Sequence, residues 1–430
     1  LYLNENPLLL AEYRQDFVNS FLIVDAGYSQ GYKNKNKKKS NGGRAHFFSN
    51  FNMNLLDEKE RKSTLEVNLE KVSSDNYLKN YEINSSLVDE DKIILENKFD
   101  FIYQNKDFFF GLTPSVFENT NYLAHSKHEY LLPATIEKNI MSNEKYGFLD
   151  LTSNLRLRNY ETNKRTDLLV NDFNWRSNKW LSSIGTENYF SGLFKNVNYE
   201  SKNSEEYRND EKTSELYSAL GYYSKLVLYK EDLIDKIYHS LTPRFLLRYA
   251  PGNMRKTEGG KLNYGNLFNL KKVNGIDLLE SGLSTSIGFE YKKSKLDDKN
   301  AISDEVFSFS VGQVISDREN NHIPSSTSLD QRFSDVVGVT KYNLSNKLKL
   351  NYNFSIDQSY KEFNYNEIGA ELNLNNTKFN IDYLQEKNHV GNQEHAQLGT
   401  NFKLNNSSEL SFSTKRNLLT SSAEFYNLSL

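Results

Sequence analysis

Two short polar stretches contain residue types that could bind a metal ion. HSKH, residues 125–128, places two histidines three positions apart, a spacing compatible with metal ligation. No carboxylate pattern accompanies it, so a plain polar loop is the preferred interpretation. LVDEDK, residues 87–92, is acidic, but it lacks the glycine and the closing glutamate of a calcium-binding loop. We therefore expect a solvated turn there.

A third stretch, KNKNKKK at residues 33–39, contains five lysines. Such a cluster could bind the phosphates of an acidic lipid, but a soluble, disordered loop is the preferred interpretation. The chain contains no GxSxG, HExxH or P-loop motif. The sequence therefore predicts no enzyme, no metal site and no bound cofactor.

The composition limits the class of protein. Only 37% of the 430 residues are hydrophobic and the mean hydropathy is -0.71, yet 28 Tyr and 27 Phe raise the aromatic share to 13%. So many rings must be buried or stacked, which argues against disorder. The 53 basic and 56 acidic residues nearly cancel, so charge gives no case for nucleic-acid binding. The absence of cysteine excludes a disulfide framework and a thiolate metal site.

No apolar run approaches the roughly 18 residues that a membrane-crossing helix needs, which excludes a helical membrane protein. A membrane-spanning β-barrel is not excluded, because only alternate residues of its strands face lipid. The chain starts at Leu1 without a methionine and shows no secretory leader. We expect it to be a processed or excised piece of a longer protein.

Alternation with a period of two recurs along the chain. In KLKLNYNFSIDQ, residues 347–358, every even position from Leu348 to Ile356 is apolar or aromatic and every odd position is polar. We count about 21 such segments, mostly about 9 to 12 residues long, whereas globular strands have a mode near 5 to 6. A tilted strand needs roughly 9 to 11 residues to cross the hydrocarbon layer. The sequence thus predicts an all-β fold, a large antiparallel transmembrane barrel whose closure leaves no exposed edges.

Three questions stay open at this point. The alternation does not decide whether the apolar face contacts lipid or lines the dry core of a soluble β-rich adhesin. Short turns such as 375–377 and long loops such as 201–214 are typical of outer-membrane barrels, but their alternation is imperfect, so neither rim is assigned. YKEDLIDKIY, residues 229–238, is compatible with a helix or a loop, and the loop is preferred.

From SLTPRFLLRYAPGNMRK (240–256) onward, the chain resembles the barrel domain of the LPS-assembly proteins of the LptD family. Similar stretches follow in the family's order: LFNLKKVNGIDLLESGLSTSIGFEY (267–291), FSFSVGQVI (307–315), IPSSTSLDQRFSDVVG (323–338), NYNFSIDQ (351–358), FNYNEIGAEL (363–372), IDYLQEKNHVG (381–391) and KRNLLTSSAEFYN (415–427). Upstream, LLLAEYRQDF, KVSSDNYLKNYEI (71–83) and EYLLPATIE (129–137) are similar too. Each piece is weak alone, but the collinear series is specific and covers almost the whole chain.

The resemblance implies that residues 1–430 form a single barrel domain in the bacterial outer membrane. The family's N-terminal periplasmic domain and its first and last strands would lie outside this chain. Lipopolysaccharide would be the transported lipid, leaving sideways through a seam between strands into the outer-membrane lipid. The implied partners are an LptE-like lipoprotein that plugs the barrel and a periplasmic Lpt bridge. A passive porin or nutrient-receptor barrel is the alternative.

Nine residues on the family-like stretches are the candidate site residues. They are Pro243, Arg248, Pro251, Gly252, Gly288, Gln313, Asp335, Asp357 and Arg416. Proline and glycine shape bends and bulges, and inward arginine and aspartate can pair across a lumen. We expect structural roles for these residues rather than direct contact with lipid, and the sequence names no gate residue.

Overall fold

The computed structural model describes residues 6–30, 43–121, 127–161, 163–204, 207–208, 210–257, 259–345, 347–405 and 408–429. Within these residues, 24 antiparallel strands belong to one sheet. The helical elements are α1 (Tyr77–Tyr81) and one 3-10 turn (Ser325–Thr327). The predicted all-β, antiparallel fold class is confirmed. No helix in the described part of the chain is long and apolar enough to cross a membrane.

The first half of the strands comprises β1 (Leu9–Asp16), β2 (Ser20–Ser29), β3 (Arg44–Asp57), β4 (Arg61–Val72), β5 (Ile94–Asn105), β6 (Phe108–Leu112), β7 (Ser115–Asn119), β8 (His128–Asn143), β9 (Gly147–Tyr160), β10 (Lys164–Arg176), β11 (Trp180–Leu181) and β12 (Thr186–Lys202). The second half comprises β13 (Thr213–Leu226), β14 (Leu228–Asp232), β15 (Ile237–Ala250), β16 (Gly282–Leu296), β17 (Ile302–Ser316), β18 (Val336–Ser345), β19 (Leu348–Ile356), β20 (Phe363–Leu374), β21 (Thr377–Glu386), β22 (Gln393–Lys403), β23 (Glu409–Asn417) and β24 (Ser422–Ser429).

Two crossings of the sheet are divided into two strands because proline interrupts the hydrogen-bond ladder. Pro114 separates β6 from β7, yet both keep one register against β5. The break between β13 and β14 lies opposite Thr242 and Pro243 of β15, and Pro243 has no N–H to donate there. With these halves joined and the two-residue β11 set aside, the described strands make about 21 crossings, the number that the alternation predicts.

The sequence pattern missed β12, because its apolar residues change face, from Phe190 and Phe194 in the first half to Val197 and Tyr199 in the second. With β12 included, most of the described connections alternate between short and long. For example, the turn 297–301 follows β16, whereas the long connections 251–281 and 317–335 follow β15 and β17. Two connections break the order, since only three residues join β9 to β10 and nine join β10 to β12, so the alternation is imperfect, as the sequence indicates.

Residues 229–238 form neither a helix nor a loop. They are the facing ends of β14 and β15, joined by a tight turn at 233–236. Asp232 accepts hydrogen bonds from the backbone N–H groups of Ile234 and Asp235 and thereby fixes the turn. The acidic and basic residues of this stretch are therefore distributed over the two strands and the turn of a hairpin, and do not lie on one face of a helix.

The chain divides into two compact units, and the first comprises Leu1–Ser142, Leu149–Asn174 and Lys195–Leu216. In this unit the connection 73–93, which contains α1, packs on one face of β3 to β5. The buried core there consists of Phe48, Val72, Tyr77, Leu78, Ile83, Val88 and Leu95. His46 fixes the connection, because Nδ1 lies 3.0 Å from Tyr77 Oη and Nε2 lies 3.0 Å from Asp25 Oδ1.

The second unit comprises Asn143–Phe148, Trp175–Phe194 and Tyr217–Leu430, and its sheet has one apolar, uncovered face. Side chains that lie side by side across β19 to β22 illustrate this face; they are Leu350, Ala370, Ile381 and Leu398. Leu350, Ile381 and Leu398 are 38%, 52% and 40% exposed although strands flank each of them. The described chain therefore leaves these apolar side chains uncovered, which contradicts a sealed dry core.

The opposite face of the same strands is polar. Lys349 pairs with Glu371 across β19 and β20, and the Glu371 carboxylate lies 3.1 Å from Lys378 Nζ. Asn353 donates a 2.7 Å hydrogen bond to Glu367 on the same face. The two faces thus differ as the period-two pattern predicts.

Candidate functional site

Two long connections of the second unit pack on the polar face of its sheet. We call them the covering segments, residues 251–281 and 317–335. The first is attached to β15 by Arg248, whose Nε donates to the Leu270 carbonyl at 2.5 Å. Arg248 Nη2 also donates to the Glu280 carbonyl and lies 3.3 Å from Glu280 Oε2. Both side chains are buried, so each charge is compensated by the other.

Glu280 also organises the covering segment to which it belongs. Its Oε1 accepts hydrogen bonds from the backbone N–H groups of Lys272 and Val273. The Lys272 side chain is buried beside Arg248, and this burial lowers the pKa of Lys272 to about 7. Glu280 thus bridges one buried cation and the backbone of the segment.

Small residues of the sheet allow the first covering segment to approach closely. Leu267 is fully buried over Gly312, and Phe268 lies over Gly288. Gly288 and Gly312 are register partners on β16 and β17. A Cβ at Gly288 would clash with the backbone of β17 and also contact the Phe268 ring at 3.3 Å. Glycine is therefore required here by space.

The second covering segment is attached to β17 by its C-terminal end. Gln313 Nε2 donates to the Ser334 carbonyl at 2.7 Å, and Tyr360 Oη donates to Gln313 Oε1 at 3.2 Å. Ser334 Oγ accepts a 2.9 Å hydrogen bond from the Val314 backbone N–H. Gln313 therefore joins this segment to the turn that contains Tyr360.

Asp335, at the end of the second covering segment, contacts polar side chains from three elements. Its Oδ2 accepts hydrogen bonds from Ser355 Oγ at 2.7 Å and Asn364 Nδ2 at 2.8 Å. His389 Nε2 lies 3.1 Å from the same oxygen. The hydrogen bond to Asp335 raises the pKa of His389 above its usual value, although desolvation partly opposes the shift. The pair is a pH-sensitive contact between two connections.

The first covering segment also reaches the far strands of the unit. Lys261 Nζ lies 2.8 Å from Glu386 Oε1 of β21 and 3.1 Å from the ring centroid of Tyr365 on β20. This contact combines an ion pair with a cation–π interaction. Between the covering segments and β15 to β17, a cavity of about 30 Å³ lined by Arg248 and Lys272 remains, with room for about one water molecule.

The structure brings four of the nine candidate residues to this junction: Arg248, Gly288, Gln313 and Asp335. The other five lie at its borders or away from it. Pro251 and Gly252 begin the first covering segment, where Gly252 has a φ of 94° in an open turn. Pro243 lies at the strand break described above. None of these placements tests a contact with lipid.

Asp357 and Arg416 have local roles. Asp357 Oδ1 accepts from the backbone N–H groups of Lys361 and Glu362 at 2.9 and 3.1 Å, and the Ser359 side chain donates to Oδ2. The hydrogen bond from Ser359 is the main cause that lowers the pKa of Asp357 to about 2. Arg416 is exposed and donates to the Ser421 carbonyl at 3.2 Å.

Sequence reasoning missed Glu280, Lys261, Leu267 and His389. The available signal was the apolar content of the connection 251–281, since Leu262, Leu267, Leu278 and Leu279 are unusual in a solvated loop and are all buried. His389 and Lys261 gave no such signal, because their partners Asp335 and Glu386 are distant in sequence.

The polar stretches singled out first have other surroundings. KNKNKKK and the first two residues of HSKH lie outside the described residues. The remaining Lys127 and His128 of HSKH face Glu118, at 2.8 and 3.7 Å. In LVDEDK, Val88 belongs to the core of the first unit and Lys92 Nζ lies 2.7 Å from Glu70 Oε1. Among the residues with described positions, no three His, Asp or Glu side chains are grouped to hold a metal.

Comparison with known proteins assigns the chain. A search of curated proteins finds no match. The family LptD, described as LPS transport system D, matches residues 42–418, which include nearly every strand and both covering segments. A match over so much of the chain, on a sheet of the predicted class, decides the question: the chain belongs to the LptD family of LPS transport proteins.

Proposed function

We propose that this chain is the transmembrane barrel of a translocon that inserts lipopolysaccharide into the outer leaflet of the bacterial outer membrane. The observation that carries the proposal is the LptD family match over residues 42–418. The uncovered apolar face of the second unit supports it, because such a face suits contact with acyl chains. The chain catalyses no reaction and needs no cofactor in this account.

The polar face is the surface along which the sugar and phosphate groups travel. The acyl chains cannot follow a polar path, so they leave sideways into lipid between two strands that part. Separating strands is affordable because each ladder hydrogen bond contributes only about 1 kcal/mol net when water can replace it.

The covering segments give this path a closed state. Over β15 to β17 the space left under these segments is the cavity of about 30 Å³ beside Arg248, which is too small for a sugar headgroup. We therefore expect the segment 251–281 to move before a headgroup passes. Its contact with β20 and β21 through Lys261, Tyr365 and Glu386 is the contact that must open.

Family membership supports two partners. An LptE-like lipoprotein would plug the barrel, and a periplasmic Lpt bridge would deliver lipopolysaccharide through the N-terminal domain of the longer protein. A passive porin or nutrient receptor is the alternative function. The covering segments occupy the polar face over β15 to β17, whereas a passive pore needs an open polar path there.

The test is a reversible cross-link across the contact that must open. Lys261→Cys and Glu386→Cys can be introduced together, because the chain has no cysteine of its own. A short bis-maleimide with a cleavable disulfide then joins the two positions in the intact protein with its partners. We expect delivery of lipopolysaccharide to the cell surface to stop on cross-linking and to recover when the linker is cleaved.

The matched control is the pair Asp382→Cys and Gln397→Cys, which are register partners on β21 and β22 and carry the same linker. That cross-link joins strands that are already paired, so transport should continue. Unchanged transport with residues 261 and 386 linked would contradict the gating role of the segment. A variant without cross-linker that forms solute channels but never delivers lipopolysaccharide would contradict the proposed function itself.

A further inference from the structure

The hairpin between β10 and β12 carries an exposed apolar tip. After β10 ends at Arg176, the chain continues along β12, where Ser177 N–H donates to the Phe190 carbonyl at 2.9 Å. β11 then pairs Trp180 with Asn188 and Leu181 with Glu187. Residues 182–185 close the hairpin, where Ser182 and Thr186 are hydrogen-bonded through their hydroxyls at 2.6 Å. The tip is therefore a built turn.

Trp180 extends the apolar face of the second unit. Its ring centroid lies 5.3 Å from that of Phe190 and 6.4 Å from that of Tyr222, and these two rings are 5.4 Å apart. Phe190 is exposed, and Tyr222 is the register partner of the exposed Leu247. The three rings thus lie on the uncovered face, continuous with its strand residues.

The tip lies where that face ends. Leu181 and Ile184 are 75% and 76% exposed, although both are large aliphatic side chains. Gly185 lies beside Leu226, the last residue of β13. Beyond that point the alternate residues of β14 change to Lys230 and Asp232. The hairpin thus lies near the end of the strand residues that form the apolar face.

The charges at the hairpin sum to one positive charge. Lys179 Nζ lies 2.9 Å from Glu187 Oε1, and Lys225 Nζ lies 3.4 Å from the same oxygen. Two lysines thus share one carboxylate, and the single positive charge that is left attracts an acidic surface only weakly. The exposed groups suit a zwitterionic phospholipid, whose interface accepts an indole and short aliphatic side chains.

We infer that this hairpin anchors the protein in the lipid interface, with Trp180 and Ile184 inserted at the boundary between headgroups and acyl chains. The inference rests on the proposed function, because it requires the apolar face to contact a bilayer. The hairpin lies at the same strand ends as the short turns 144–146, 233–236 and 297–301, and short turns face the periplasm in outer-membrane barrels. The leaflet is therefore the inner, phospholipid leaflet.

The chain contains two tryptophans, Trp175 and Trp180, which allows a direct test. In the intact protein, Trp175→Phe removes the fluorescence that would compete with that of Trp180. Any tryptophan outside this chain is changed to phenylalanine for the same reason. The protein is reconstituted in phosphatidylcholine vesicles that contain lipids with a nitroxide at the headgroup, high on the acyl chain or at its end. We expect Trp180 to lose most of its emission with the two shallow labels and little with the deep label.

A second variant separates insertion from folding. Ile184→Ser leaves the β11 ladder intact and should shift Trp180 emission to longer wavelength and weaken its quenching. Strongest quenching of Trp180 by the deep label, or no quenching at all, would overturn the anchor. The emission of Trp175, measured in the Trp180→Phe variant, distinguishes the two possible failures. If Trp175 is quenched but Trp180 is not, only the anchor is contradicted. If neither tryptophan is quenched, the membrane assignment is contradicted as well.

Discussion

At the scale of single residues, Arg248 and Glu280 show how a loop is held on a sheet by charge. Both are buried, and each satisfies backbone groups of the segment 251–281 as well as its partner. Removing one partner of a buried pair leaves the other charge uncompensated. The consequence can be measured on folding stability.

Arg248→Ala is expected to lower the free energy of unfolding by about 3 to 5 kcal/mol, the usual cost of an orphaned buried charge. Arg248→Ala with Glu280→Ala should cost less than the sum of the two single changes, because neither charge is then left alone. Denaturant unfolding in detergent micelles measures both. Arg416→Ala is the control, since Arg416 is exposed. Additive single and double changes would show that the two residues do not interact.

His389 and Asp335 give a pH-dependent prediction. The pKa of His389 is raised by Asp335, so the charged pair stabilises the fold fully below the unfolded-state pKa of about 6.5 and is lost as the pH rises through the folded-state pKa. His389→Gln should therefore lower the thermal midpoint more at about pH 5.5 than at about pH 8.5. The difference between the two pH values should correspond to about 1 kcal/mol in the free energy of unfolding. Asp335→Asn should abolish this difference. An equal loss at both pH values would exclude a charged pair.

At the scale of elements, the packing of β16 against β17 and Phe268 predicts that Gly288 tolerates no side chain. Gly288→Ala should cost about 1 to 3 kcal/mol, because a backbone neighbour cannot move aside. Gly192→Ala is the matched control on β12, where the nearest atom is the flexible end of Leu220 at 3.4 Å. Its cost should stay below about 1 kcal/mol. Similar losses in both variants would refute the close-approach argument.

The strands were predictable from sequence because the period-two pattern is a local property of the chain. KLKLNYNFSIDQ became β19 with the expected faces. β12 escaped prediction because its apolar stripe changes face, from Phe190 and Phe194 to Val197 and Tyr199, so no single alternation runs through the strand. The hairpin at 229–238 was ambiguous because its charged residues satisfy helical and strand spacing equally.

The candidate site was predictable only in part. Arg248, Gly288, Gln313 and Asp335 were found through their position in family-like stretches. Their partners were not, because contacts such as Lys261 with Glu386 join residues more than a hundred positions apart. A sequence pattern records which face a residue occupies, but it does not record which connection folds back over that face.

At the scale of the whole molecule, strands that expose apolar side chains on one face need lipid or detergent. The intact protein should therefore be monodisperse only with detergent. Unheated samples should migrate differently from boiled ones in dodecyl sulfate gels, because the hydrogen-bonded sheet resists the detergent until heated. A protein that stays monodisperse in plain buffer, with no change in migration on heating, would be a soluble β-rich protein instead.

The most direct measurement is a nitroxide scan across β19 to β22 in the intact protein reconstituted in bilayers. Single cysteines would carry the label at Leu350, Ile381 and Leu398, and in parallel at their polar-face neighbours Lys349, Asn380 and Gly399. The account predicts that the first three labels collide with dissolved oxygen, which concentrates in lipid. The other three should collide with a water-soluble nickel complex. Accessibility to the nickel complex at Leu350, Ile381 and Leu398, or protection of these labels from both reagents, would contradict it.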